Sequence, residues 1–217
     1  MCIYYISIMK INLTNICFLI LAFILFKKVI EKVLSEPIHQ TTPVVANLDN
    51  LIYKVQNHHD SKEAANMLAE IRKRLCTLIN NLQTRYPNDP RTKRVTQRFG
   101  KRNCSSNLKT IKHILESEPD PSNDFTSYSL NKGEKVVFCL RSEKNKELHD
   151  INIIMFVAIH ELAHVMSVTI GHNKEFYTNF RFLLKEAIRD GLYDYENYDK
   201  TPKNYCGMEI TSTPLEL

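Results

Sequence analysis

His160, Glu161 and His164 stand in the run FVAIHELAHVMSVTIGHNKEFY, Phe156 to Tyr177, where nearly every neighbour is aliphatic or aromatic. An unpaired polar or ionisable group among such neighbours costs on the order of several kcal/mol, so these side chains need a partner. Two histidines four residues apart on a helix stack on one face and can aim their ring nitrogens at one ion, and zinc is a metal that takes imidazole ligands. Glu161 projects from the adjacent position, where it reaches a water held by that ion and acts as general base rather than as ligand. The residue types and spacing therefore point to Zn2+ with a bound water in reach of Glu161.

Catalytic zinc takes a third protein ligand and keeps an open position. His172 is the leading candidate, eight residues beyond His164. Had the helix continued, His172 would lie about 12 Å further along its axis, so the chain must turn back. SVTIG suits that turn, with β-branched residues followed by Gly171, which can adopt the positive φ of a helix stop. Glu186, Glu175 and Asp190 are the alternative ligands. Tyr205 is a candidate oxyanion donor. In the C-terminal NYCGMEITSTPL, Cys206 as a thiolate near zinc and Met208 in a turn beneath it are further options; the plainer reading is a tail tucked into a groove.

The elements that must hold these residues follow from periodicity. From Ile151 to Met166 the chain is apolar around almost the full helical circumference, the pattern of a central buried helix, with Asp150 as its cap. Asn173 caps a second helix, KEFYTNFRFLLKEAIRD, which Gly191 ends. Ahead of the motif, Thr126 to Leu130 and Lys135 to Leu140 flank NKGE as a hairpin. Further upstream two helices are expected. The first carries Val45, Leu48, Leu51, Ile52 and Val55; the second opens at the capping box of Asp60 and Glu63 and runs through Ala64, Leu68, Ile71, Leu75, Leu78 and Leu82 to YPNDP.

The chain has 217 residues, 43% hydrophobic and 24% charged, with a formal charge of +5. That suffices for one ordinary domain plus an appendage, and excludes a low-complexity chain. The six cysteines are scattered without a CxxC pair, and read as reduced thiols in a cytosol-like compartment. The basic run RTKRVTQRFGKR, Arg91 to Arg102, could meet phosphates of nucleic acid or anionic lipid, or form a solvated face. INLTNICFLILAFILF, Ile11 to Phe26, is uncharged and is followed by Lys27, Lys28 and Lys32, which predicts a single-pass anchor with the rest of the chain on the cytosolic side. The expected organisation is an anchor over residues 1–34, a linker over 35–43 and a domain over 44–217, with a helical part to 118 and a catalytic part from 125. The expected fold is α+β and mostly helical, with a small antiparallel sheet and a buried HExxH helix.

HELAH followed by GHNKEFY resembles the zincin metallopeptidases of the WLM and SprT-like type, in which a histidine ahead of an xxxFY/W segment is the third ligand. The stricter metzincin pattern, HExxHxxGxxH, is not met, because Ser167 and Ile170 replace its glycine and last histidine. SYSLNKGEKVVFCLR, FVAIHELAHVM and YCGMEI together resemble uncharacterised WLM-like metallopeptidases encoded by large DNA viruses, from about Val44 onward. That resemblance implies a zincin-like fold, a zinc cofactor and hydrolysis of a protein or peptide substrate by an activated water, with a host or virion membrane as the anchored surface. By the same analogy the strand Lys135 to Leu140 is expected at the sheet edge, where it could pair with an extended substrate. Two other readings are a catalytically idle, zinc-stabilised membrane or virion protein, and a DNA-associated protease acting on protein–DNA crosslinks.

Overall fold

The computed structural model describes Lys27, residues 41–117 and residues 126–216. Contacts divide the chain into two units, Met1–Ile38 and His39–Leu217. The second unit begins with a hairpin, not a helix. Thr41–Val45 (β1) pairs antiparallel with Ile52–Gln56 (β2), Thr41 opposite Gln56 and Val45 opposite Ile52. The helical spacing of Val45, Leu48, Ile52 and Val55 is overridden by period two: Tyr53 and Val55 are buried while Lys54 between them faces water. β-Branched residues favour that pleated arrangement.

Ser61–Arg85 (α1) buries the predicted stripe of Ala64, Leu68, Ile71, Leu75, Leu78 and Leu82. Pro90–Val95 (α2) is capped by Asp89 and continues through a π-helical turn, Thr96–Gly100, into Lys101–Asn103 (α3). Thr110–Ser117 (β3), Tyr128–Leu130 (β4) and Lys135–Cys139 (β5) complete a sheet of order β1-β2-β3-β5-β4. The sheet is mixed rather than antiparallel, since β3 runs parallel to both β2 and β5. A parallel return needs a long crossover, and α1 to α3 provide it between β2 and β3. β5 lies inside the sheet, with Val136, Val137, Phe138 and Cys139 all buried. The edge on that side is β4, so the expectation of an edge at Lys135–Leu140 is corrected by one strand. Ile151–Met166 (α4), Lys174–Arg189 (α5) and the short ribbon of Lys203–Tyr205 (β6) with Met208–Ile210 (β7) come next. The architecture is α+β.

The cysteine reading is also corrected. Cys76 is bonded to Cys104 and Cys139 to Cys206, across sequence separations of 28 and 67 residues. The fold brings these pairs to Cα–Cα distances of 5.4 and 6.3 Å, within reach of a bridge. Cys206 is therefore no thiolate ligand, and Met208 is a surface residue whose sulfur meets the Thr126 hydroxyl.

A single-pass membrane placement is not upheld. The span expected from Ile11 to Phe26 lies outside the described residues, as does most of the anchor and linker. Among the described residues no helix is long and apolar enough to cross a membrane. α1 has 25 residues but carries Lys62, Glu63, Glu70, Arg72, Lys73 and Arg74 within its length, and the apolar α4 has only 16.

Asp60, the expected side-chain cap of α1, makes no such bond. Both its oxygens instead accept from Nη1 of Arg141, at 2.7 and 2.8 Å. Arg141 is fully buried, and its Nε donates to Glu116 at 2.8 Å. The other Glu116 oxygen accepts from the Gln56 amide at 2.7 Å. Burial pushes the Glu116 carboxyl up, against the lowering effects of the Gln56 amide and of Arg141. The cluster pins β2, β3, the end of β5 and the start of α1 at one point. Arg141→Met would leave Glu116 buried without its cation, and should destabilise the fold by about 3–5 kcal/mol in urea titrations. Arg141→Met with Glu116→Gln should recover part of that loss; a single variant within about 1 kcal/mol of wild type would refute the role given to the pair.

Candidate metal centre

α4 starts where predicted, with the Asp150 carboxylate accepting from the Asn152 amide at 2.8 Å. Its residues are apolar on all sides because it is enclosed: Ile153, Ile154, Met155, Phe156, Ile159, Leu162 and Val165 are all buried. The helix stops at Met166, immediately past the second motif histidine. A helix end leaves its last carbonyls without intrahelical donors. Here Arg94 Nη1 donates to the Met166 carbonyl at 2.6 Å, and Arg98 Nη1 to those of Val165 and Ser167, both at 2.8 Å. Lys132, at the tip of the β4–β5 hairpin, donates to the His164 carbonyl at 3.3 Å and also to that of Thr169. The cations complement the negative end of the helix dipole. The basic run therefore caps α4 with Arg94 and Arg98, while Arg91 bonds Asp89 and stacks over Phe182.

Beyond Ser167 the chain reverses. Glu175, on α5, accepts from the amides of Val168 and Thr169 at 2.9 and 3.0 Å and from the Thr169 hydroxyl at 2.6 Å. Those bonds, the Thr169 hydroxyl first, hold the Glu175 carboxyl at about 2 instead of 4.5. Its folded pKa being depressed, its hold on the loop is complete above pH 4.5 and fades as pH falls toward 2. Gly171 takes φ +83°, as the reversal requires, and Asn173 caps α5 by accepting from the Phe176 amide.

The reversal delivers His172 to the motif histidines. Their Nε2 atoms converge: His160 to His164 is 3.2 Å, His164 to His172 is 3.1 Å and His172 to His160 is 3.0 Å. Phe176 packs against all three rings, with centroids 4.8, 4.3 and 4.7 Å away. Burial, and then the neighbouring imidazoles, push His160 down to about 3; burial first and His172 next push His164 to about 4. Both rings are thus neutral at physiological pH, the form that ligates metal. Around a tetrahedral zinc, nitrogens at ~2.0–2.1 Å would be about 3.3 Å apart, close to the observed separations. The set fits the ion. His172 is exposed while His160 and His164 are half-buried, so the cluster opens to solvent on one side.

Glu161 lies beside the cluster, nearly enclosed, and burial pushes its carboxyl up to about 8. Among the described residues its carboxylate makes no hydrogen bond. The alternative ligands lie elsewhere or are otherwise engaged: Glu186 accepts from the Tyr86 hydroxyl and pairs with Arg85, Asp190 pairs with the same arginine, and Glu175 anchors the loop. Tyr205 is buried, its hydroxyl donating to the Cys139 carbonyl at 2.6 Å and lying 2.8 Å from the Ser127 hydroxyl. It presents no free donor for an oxyanion. Sequence reasoning missed the parts played by Arg94, Arg98 and Lys132; the four-residue spacing of the two arginines was the available hint.

The WLM domain model matches residues 106–214, from ahead of β3 to the C-terminal ribbon and beyond. The uncharacterised protein R325 of Acanthamoeba polyphaga mimivirus is 34% identical over 173 residues, covering 80% of this chain and 84% of that protein. The uncharacterised protein 042R of Invertebrate iridescent virus 3 is 31% identical over 168 residues, covering 73% of this chain and 92% of its own length. Among solved structures, Wss1 from Saccharomyces cerevisiae aligns at a TM-score of 0.43 with 16% identity, over 63% of this chain and 87% of that one. On its sequence matches, this chain belongs to the WLM domain family and is metallopeptidase-like, with relatives in large DNA viruses.

Proposed function

We propose that the protein is a zinc-dependent metallopeptidase of zincin type that hydrolyses internal peptide bonds, with His160, His164 and His172 as ligands and Glu161 as general base. One observation carries this reading. A neutral imidazole Nε2 is either a donor or an acceptor, never both. Three such atoms mutually within 3.0–3.2 Å cannot all pair, because at least two of the three must be alike. A cation at their centre resolves the conflict, since all three then offer lone pairs.

Zinc there would supply Lewis acidity, polarising a carbonyl and lowering the pKa of water to about 7. Glu161 takes the proton of the attacking water and passes it to the leaving amine. Its enclosure keeps the carboxylate free of competing partners, and the open side beyond His172 admits an extended chain. Phe176 fixes the ring planes from behind. A purely structural zinc has no use for a base at Glu161, which weighs against an idle site. In the basic run Arg91, Arg94 and Arg98 are committed within the fold, while Lys93, Lys101 and Arg102 are exposed, and the DNA-crosslink reading rests on those three.

The full chain should carry zinc at close to one ion per molecule, and His160→Ala or His164→Ala should lose most of it and lower the melting temperature. Full zinc occupancy in both variants would end the assignment. Glu161→Gln should keep the metal and lose hydrolysis by about 10²–10⁴-fold, the usual worth of a general base.

His172→Ala should lower zinc affinity strongly while Glu186→Ala leaves it near wild type; the opposite pattern would make the site a two-histidine, one-glutamate centre. Glu175→Ala, which releases the loop carrying His172, should weaken zinc binding about tenfold by equilibrium titration.

A further inference from the structure

Three large apolar side chains stand in water beside the histidine cluster. Val168 is 58% exposed, Ile170 89% and Tyr177 44%. Val168 and Ile170 belong to the loop between α4 and His172, and the Tyr177 ring lies 6.4 Å from the His172 ring. Isolated surface apolars are ordinary, but these flank one site.

The loop that carries them is firmly held. Besides its bonds to Glu175, Thr169 accepts at its hydroxyl from Asn173 Nδ2 at 2.7 Å and at its carbonyl from Lys132, and the Ile170 carbonyl accepts from Asn173 at 3.4 Å. Thr169 thus meets the anchors while Val168 and Ile170 on either side face out. A contact made by a pre-ordered loop loses little entropy on binding. Of the charged groups at this corner, Arg94, Arg98, Lys132 and Glu175 are bound to the backbone of α4 and its loop, and Lys174 stands exposed. Apolar contact is what the loop itself offers.

Resting on the peptidase reading above, we propose that Val168, Ile170 and Tyr177 form an apolar rim that receives an aliphatic or aromatic side chain of the polypeptide substrate, next to the scissile bond. Continuity with the cluster identifies the occupant: a chain lying across the open side of His172 passes over this loop. Burying one such side chain favours it by about tenfold or more over a small polar one.

The test uses the zinc-loaded full chain with Glu161→Gln, which holds peptide without cutting it. Two fluorescein-labelled decapeptides, identical except for a central leucine or serine, are titrated by fluorescence anisotropy. The leucine peptide should bind at least about tenfold more tightly. Ile170→Asp or Ile170→Ser in the same background should shrink the difference to about twofold. Ile170 is too exposed for either change to disturb the core, and matched melting curves check this. Equal binding of both peptides, binding of neither, or discrimination that survives both substitutions would overturn the rim. So would a change in sedimentation without a change in peptide binding, which would reassign these side chains to self-association. The chain with Glu161 intact separates the two claims. Equal cleavage of both peptides would leave the peptidase reading standing and remove the rim. Absence of cleavage with discrimination intact would remove the peptidase reading and leave a polypeptide-binding surface.

Discussion

The histidine cluster depends on ending α4 directly after His164 and satisfying the carbonyls that the ending exposes. One more helical turn would carry His172 away from the motif. Stopping there leaves a negative helix end with acceptors that need donors. Arg94 and Arg98 arrive from α2 and the π-helical turn, and Lys132 from the β4–β5 hairpin. The hairpin tip comes close enough because Gly133, at φ +91°, has no side chain; a Cβ there would lie 3.0 Å from Val165. Parts of the fold with no other business at the site are thereby made responsible for its shape.

A second constraint acts inside the cluster. Burial keeps the imidazoles of His160 and His164 uncharged, and Phe176 fixes all three rings so that their nitrogens face one another. Three ring nitrogens held this way cannot all pair with one another. Enclosure of Glu161 works in the opposite electrostatic sense, favouring the proton on a carboxyl group. Surroundings alone thus push these groups apart along one helix, since all three motif residues share the same backbone conformation.

What the sequence discloses here is what is local. The caps at Asp150 and Asn173, the reversal at Gly171, the stripe of α1 and the meeting of His172 with the motif all arise from contacts within a few turns of chain. The helix expected over Val45 to Val55 fails because those apolar positions satisfy two periods, and strand partners from 110 onward decide between them. Arg94 and Arg98 resemble a solvated or phosphate-binding run because the carbonyls they meet lie 67 to 72 residues away. Asp60 reads as a cap because its competitor, Arg141, is 81 residues distant. The cysteine pairs have no signature in spacing at all.

The bond between Cys139 and Cys206 closes a covalent ring around residues 140–205. His160, Glu161, His164 and His172 all lie inside it. In chain-entropy terms a ring of this size disfavours the unfolded state by about 4 kcal/mol. It also changes what a backbone cut can do. A single nick anywhere in the ring opens a circle instead of dividing a line, so both pieces stay joined through sulfur. If the chain cuts polypeptides as proposed, one misdirected cut between Cys139 and Cys206 would still leave its centre attached.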